Sequence, residues 1–348
     1  METVIADMKQ GIDRDAIKTA GSILKDGGLV AFPTETVYGL GADALDEQAA
    51  KRIYAAKGRP SDNPLIVHIA KIEDLYKIAE SVPLKARTLA ERFWPGPLTM
   101  IFRKKECVPD GTTGGLGTVA VRMPKDDIAL ALIEAGGGFV AAPSANTSGR
   151  PSPTKAEHVV QDMNGKIEMI IDGGEVGIGV ESTIIDMSED IPMVLRPGYI
   201  NEKMLREAIG EVMVDPALFS VESGVRPKAP GMKYRHYAPK ADMIIVEGAD
   251  NKVISFINEK IGEALTEGRK IGVIASDETT ECYSKGVIRS MGSRKDELSI
   301  SKKLYSVLRE FDSLGVDTIY SEAFNTPAMG QAIMNRLVKA AGHQIINV

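Results

Sequence analysis

Between Val221 and Lys240 the chain reads VESGVRPKAPGMKYRHYAPK, a run dense in Pro, Gly, Lys, Arg and Tyr and without apolar periodicity. Such a run cannot continue a buried helix or a central strand, because Pro lacks the backbone donor and Gly the side chain that those elements use, so it reads as a linker. It divides 348 residues into two parts, each suited to a domain of roughly 100–200 residues. The expected organisation is a first domain over residues 1–210, a linker or lid over 211–240, and a second domain over 241–348.

The two parts differ in rhythm. After the linker, the apolar runs Met243–Val246, Ile271–Ala275 and Thr318–Tyr320 alternate with helical patterns over Val253–Leu265, Lys302–Leu314 and Gln331–Ala341. Strand–helix alternation of that kind predicts a small Rossmann-like parallel α/β domain. Before the linker, Asp13–Asp26 reads as a helix stopped by Gly27-Gly28, and Leu29–Phe32 as a buried strand that runs into a loop, Pro33–Gly41. Further strands are expected at Asn63–Ile69, Leu98–Phe102, Val119–Met123, Phe139–Ala142, Met169–Asp172 and Ser182–Asp186, with helices over Glu47–Ala56, Leu75–Ala79 and Pro83–Phe93. Hairpin-like and helix-linked strands are interleaved, so the first domain is predicted to be a twisted mixed sheet flanked by helices.

Several function classes fall away early. Lys and Arg total 42 against 48 Asp and Glu, a net charge of −6, so the whole molecule is no polycation made to coat nucleic acid. Cys107 and Cys282 are the only cysteines, which excludes a disulfide framework, a paired-cysteine zinc site and an iron–sulfur cluster. Both are expected to be buried thiols in a reducing compartment. The first ten residues are charged and lack an apolar segment, so no secretory leader is expected. No window approaches ~18 uninterrupted apolar residues, which argues against a membrane helix and for a cytoplasmic protein. There is no Walker loop, no G-x-G-x-x-G, no G-x-S-x-G and no paired H-x-x-x-H, and the expectation is that no protein-built metal site exists.

What remains is a set of polar residues at predicted strand ends. Lys57 and Arg59 stand two residues apart beside Gly58 and Pro60, and two cations converging on one pocket suit a polyphosphate; read alone, the same tripeptide is a solvated loop. Ser144 and Asn146 lie where Phe139–Ala142 ends, offering donors and acceptors without net charge; read alone, they make a Ser/Asn turn. Arg122 interrupts the apolar VAVRMP and His68 the apolar LIVHIA. A charge so placed must pair with an acid or face a ligand, and the histidine taken alone is a hydrogen-bonded core residue.

Taken together and in order, Pro33-Thr-Glu-Thr-Val-Tyr-Gly-Leu-Gly41, Lys57-x-Arg59 with Ser61-Asp-Asn-Pro-Leu65, Ser144-x-Asn146, Gly173-Gly174 with Val180-Glu-Ser-Thr183, and Leu195-Arg-Pro-Gly198 resemble the YrdC-type family of threonylcarbamoyl-AMP synthases. The segment Pro230–Pro239 and the tail that follows resemble its longer, two-domain Sua-type branch. The resemblance covers essentially the whole chain and implies a YrdC-like catalytic domain followed by a Sua-type C-terminal domain. It also implies a nucleotidyltransferase that uses L-threonine, bicarbonate and ATP to make threonylcarbamoyl-AMP and pyrophosphate for N6-threonylcarbamoyladenosine in tRNA.

By the same resemblance, Lys57, Arg59, Ser144 and Asn146 would serve catalysis. Arg59, Asn63, Thr118, Ser144, Asn146, Ser152, Arg196, Tyr234 and Arg235 would hold the nucleotide, and Thr36, Tyr38, His68, Arg122 and Ser182 the threonine. Mg²⁺ would be bound mainly through the phosphates. Implied partners are the downstream threonylcarbamoyl transferase machinery and a contact with tRNA. The linker residues Lys233, Tyr234, Arg235 and Tyr237 are expected to close over the nucleotide. Two readings from other classes stand beside this one. One is a non-catalytic RNA-binding translation factor of the same fold, which the net charge opposes. The other is the carbamoyl transferase of hydrogenase maturation, whose zinc-finger cysteine pairs this chain lacks.

Overall fold

The computed structural model describes residues 1–218 and 237–348. The chain forms two compact units, one of Met1–Ser148, Ser152–Gly177 and Glu181–Lys233, the other of Gly149–Pro151, Ile178–Val180 and Tyr234–Val348.

The first unit runs β1 (Val4–Asp7), α1 (Arg14–Lys25), β2 (Val30–Phe32), β3 (Gly39–Asp43), α2 (Glu47–Lys57), β4 (Ile66–His68), α3 (Ile72–Ile78), α4 (Leu84–Phe93), β5 (Leu98–Arg103) and α5 (Asp110–Thr113). It continues with β6 (Thr118–Arg122), α6 (Asp127–Ala135), β7 (Val140–Ala141), α7 (Ala156–Met163), β8 (Met169–Asp172), β9 (Thr183–Asp186), β10 (Met193–Arg196), α8 (Glu202–Ile209) and β11 (Met213–Val214). Its strands form one mixed sheet in the order β1-β8-β2-β3-β7-β4-β6-β5-β9-β10-β11. Alternation along the strands divides the core in two, as a period of two requires. Ala31, Leu40, Val67, Met100, Val121 and Ile185 join a cluster with α2, α4 and α7. Val30, Phe32, Val140, Met169 and Ile171 join another with α1 and α6.

The helix ends are chemically specified. The Asp13 carboxylate accepts from the N–H groups of Asp15 and Ala16 and starts α1, which buries Ile17, Ala20 and Leu24 on one face. Asp46 starts α2, and Gly58 ends it at φ 62°, in the left-handed region that glycine adopts without strain. One expectation fails here: Gly39–Gly41 is not loop but the start of β3, paired antiparallel with β2. Glycine makes the segment read as a turn, yet Gly41 is packed so closely that a Cβ would come within 2.9 Å of Phe32 and of Val140.

The second unit runs β12 (Asp242–Glu247), α9 (Asp250–Thr266), β13 (Ile271–Ala275), β14 (Val287–Ser290), α10 (Glu297–Leu314), β15 (Thr318–Glu322), α11 (Gly330–Ala340) and β16 (Ile345–Asn347). Its sheet is all parallel, in the order β14-β13-β15-β12-β16. Val246, Val273 and Ala275 pack against Val253, Ile257 and Ile261 of α9. Both cysteines are exposed, contrary to expectation. Cys107 lies in the turn after β5, its thiol toward the Lys77 carbonyl, and Cys282 lies in a short turn between β13 and β14, so neither occupies an apolar core position. No helix among the described residues is long and apolar enough to cross a membrane.

Candidate active site

The site grows from the ends of β4 and β6. These strands are parallel and in register, so their last residues, His68 and Arg122, lie side by side. Both are buried. Burial and the neighbouring guanidinium push the His68 imidazole down to about 3, so the ring is neutral at ordinary pH. Its Nδ1 meets the Ile66 carbonyl at 3.1 Å, and the ring stands edge-on to Phe32.

Arg122 turns to the segment after β2. Its guanidinium donates to the Thr36 hydroxyl at 2.9 Å, to the Glu35 carboxylate at 2.5 Å and, through Nε, to the Gly96 carbonyl at 3.4 Å. Thr34 shapes that segment: its hydroxyl donates to the Val37 carbonyl and receives the N–H groups of Thr36 and Val37, a local side-chain turn. The order Pro33-Thr-Glu-Thr therefore turns the chain sharply after a buried strand and points Glu35 and Thr36 at the same cation. Asp126, the N-cap of α6, is pushed up to about 6 by its burial, with the charge of Glu35 adding to the effect.

Ser182 and Arg196 make a second cluster. Arg196 donates through Nε to the Ser182 carbonyl at 3.0 Å and through its terminal nitrogen to the Ser182 hydroxyl at 3.1 Å, and that hydroxyl is 2.8 Å from Thr99. The Pro95–Pro97 segment joins the two clusters, because Gly96 accepts from Arg122 while Pro97 accepts from the Thr183 N–H. One residue before Ser182, Glu181 accepts from the Ser152 hydroxyl at 2.6 Å, both side chains being buried.

Lys57 corrects the reading of a solvated loop charge. It is the last residue of α2 and 2% exposed, and its Nζ donates to the carbonyls of Ser144 and Asn146. The Ser144 hydroxyl in turn donates to the Asn146 side-chain oxygen at 2.6 Å. Two residues on, Arg59 donates to the carbonyls of Asn63 and Pro64, at 3.3 and 3.1 Å. The Asn63 side-chain oxygen is buried without a hydrogen-bond partner.

Not every expected residue joins these clusters. The Tyr38 hydroxyl donates to the Gly174 carbonyl and accepts the Gly173 N–H, and burial holds the phenol above its ordinary pKa, so this residue fastens the Gly173–Gly174 loop. Thr118 opens β6, at the other end of the strand from Arg122, about 13 Å away at ~3.3 Å per residue. Tyr237 is buried, with its ring against Tyr305 of α10 in the second unit. Lys233, Tyr234 and Arg235 lie outside the described residues. Sequence reasoning passed over Glu35, Thr99, Asp126 and Glu181. Glu35 and Glu181 stand inside the motifs themselves, and only their partners, far away in sequence, reveal them.

Two family models match the chain, one described as "Telomere recombination" over residues 22–198, the other as the C-terminal domain of threonylcarbamoyl-AMP synthase over residues 200–342. The threonylcarbamoyl-AMP synthase of Pyrococcus abyssi is 51% identical over 99% of this chain and 100% of its own length. The Bacillus subtilis protein of that name is 49% identical over 95% of this chain and 94% of its own. The crystal structure of P. abyssi Sua5 complexed with L-threonine superposes with a TM-score of 0.94 at 50% identity, covering 99% of this chain and 100% of that one. The chain belongs to the Sua5, YciO and YrdC family, in its two-domain branch.

Proposed function

We propose that this protein is a threonylcarbamoyl-AMP synthase, joining L-threonine, bicarbonate and ATP into threonylcarbamoyl-AMP with release of pyrophosphate and water. The observation that carries the reading is the gathering of Arg122, Thr36 and His68 at the ends of two parallel strands, with Ser182 and Arg196 bridged to them through Pro95–Pro97. An amino acid needs a fixed cation for its carboxylate, and a neutral ring beside that cation adds no competing charge. Once the amine has become a carbamate, its oxygen attacks the α-phosphorus and pyrophosphate leaves. The protein's share is then to hold several anions in one place.

On this reading, Lys57 acts by fixing the backbone of Ser144 and Asn146, while Arg59, Asn63, Ser152 and Arg196 serve the nucleotide. Tyr234 and Arg235 are assigned to the nucleotide by family resemblance. Mg²⁺ enters with the nucleotide, held mainly by its phosphates. The product is a labile mixed anhydride, so a transferase that passes the threonylcarbamoyl group to tRNA follows it. The rival reading, a surface for RNA, is disfavoured by burial: Lys57, Arg122 and Arg196 are 2–5% exposed and out of reach of a polyanion's backbone.

Mass spectrometry of products after incubation with ATP, L-threonine and bicarbonate tests the reading. The expected result is threonylcarbamoyl-AMP and pyrophosphate, with both lost when threonine or bicarbonate is left out. ATP turnover indifferent to threonine would overturn it.

A further inference from the structure

Glu35, a partly buried acid, takes no part in the steps of the proposed reaction. Glu35 places one carboxylate oxygen 2.5 Å from Arg122, and its side chain is 12% exposed. Its other oxygen, Oε1, is buried with no hydrogen-bond partner. A buried carboxylate oxygen without a donor is costly to maintain, and native structures keep such an atom where something else will satisfy it. The charges around it point the same way. Arg122 contributes one positive charge, His68 is neutral, and the charge of Glu35 helps to raise the Asp126 carboxyl. Of these four groups only Arg122 is positive, against two acids.

We propose that Glu35 receives the ammonium group of the amino-acid substrate through Oε1, while Arg122 receives its carboxylate, so that the site reads the zwitterion as a unit. An ammonium offers three donors on one centre and suits an acceptor that is already held in place from its other side. Arg122 supplies that hold: its bond to Oε2 fixes the Glu35 side chain, and its bond to Thr36 fixes the same turn of backbone. The assignment rests on the threonine reading of the site. It adds a specificity residue that discriminates amino acids from hydroxy acids of the same shape.

The test compares L-threonine with (R)-3-hydroxybutanoate, which keeps the carboxylate, hydroxyl and methyl of threonine and lacks the amine. By calorimetry the native protein is expected to bind threonine at least ten times more tightly. In Glu35→Gln that preference should shrink to within about threefold, and in turnover the threonine KM should rise while the ATP KM stays put. If Glu35→Gln does not fold, Glu35→Asp keeps the charge and withdraws it by one methylene. It should weaken threonine while leaving 3-hydroxybutanoate unchanged. Equal binding of the two ligands by the native protein, or a full preference retained in Glu35→Gln, overturns the inference. Failure of the native protein to bind threonine at all would instead overturn the threonine reading of the site.

Discussion

At the carboxyl ends of β4 and β6, Arg122 meets a carboxylate that keeps one buried oxygen unpartnered. At the carboxyl ends of β13 and β15 in the second unit, the carboxylate of Glu322 is met by four donors: Arg294 and the Tyr283 hydroxyl, each at 2.8 Å, Thr279 at 2.5 Å and the Ser276 N–H at 3.2 Å. Both are places where α/β sheets bind ligands, and both hold an acid paired with an arginine. The first leaves acceptor capacity unspent; the second spends every oxygen internally, although Arg294 keeps its Nε unpartnered and its guanidinium over the Phe324 ring. The difference is between a carboxylate with acceptor capacity to spare and a network that holds loops together, and residue type alone would not distinguish them.

The largest effect expected from that contrast is on threonine use in Arg122→Met. Two hydrogen bonds to a charged group at about 1.5–3 kcal/mol each correspond to a loss of roughly two to four decades in kcat/KM for threonine. Arg122→Lys should recover little of it, because an ammonium cannot reproduce a fork that holds Thr36 and a carboxylate at once. Steady-state kinetics in threonine checks both variants, and a loss under fivefold in Arg122→Met would place the substrate elsewhere.

In the second unit the matching prediction concerns stability. Glu322→Ala removes the acceptor that Arg294, Tyr283, Thr279 and the Ser276 N–H share, which should cost about 3 kcal/mol or more. Hydrogen exchange should report it as faster exchange along β13 and β15. If protection there is unchanged, the network around Glu322 is not the structural lock its geometry describes.

Much of this architecture was legible, and the gaps follow a pattern. Asp13, the Ile17, Ala20 and Leu24 face and the glycines after Lys25 mark α1 within one residue, because capping and periodicity are local. The strands Ile271–Ala275 and Met169–Asp172 are bounded as expected for the same reason. Gly39–Gly41 misleads because close packing against Phe32 and Val140, not turn chemistry, demands the small residue. Lys57 looks solvated because the carbonyls that bury it lie 87 and 89 residues away. Glu35 is hidden likewise, since its partner Arg122 is 87 residues distant. What the sequence conceals is which polar residues find one another across the sheet.

Lys57 gives the third prediction, smaller than the first two. In Lys57→Met the aliphatic stem keeps most of its packing, but the carbonyls of Ser144 and Asn146 lose their shared donor, at about 1–3 kcal/mol. A solvated loop charge would cost nothing measurable. A fall in denaturation midpoint together with a raised ATP KM is expected, the two linked because the same backbone presents Ser144 and Asn146. A raised KM with no change in stability would give Lys57 the role of a cation facing the triphosphate.

The smallest effect is a difference in acid response between the two units, and it can be separated by pH window. His68 has a folded-state pKa of about 3 against an ordinary 6.5, so a proton binds the unfolded chain more readily. Its contribution to stability is complete above about pH 6.5 and is lost as the pH falls toward 3. Asp126, raised to about 6, works against this, since it takes up its proton more readily in the folded unit. In the second unit, burial pushes the Glu278 carboxyl up, but bonds from the Ser293 hydroxyl and the Arg294 N–H outweigh it and bring it down to about 2. The stability Glu278 supplies is therefore intact above its ordinary 4.5 and lost only below. Between pH 6.5 and 5, hydrogen exchange along β4 should quicken relative to a His68→Asn variant, which cannot titrate there, while the difference between native protein and Glu278→Gln along β13 and β14 should hold constant down to about pH 4.5 and narrow only below it. If native protein and His68→Asn show the same slope above pH 5, His68 titrates near its ordinary value and is not buried neutral beside Arg122.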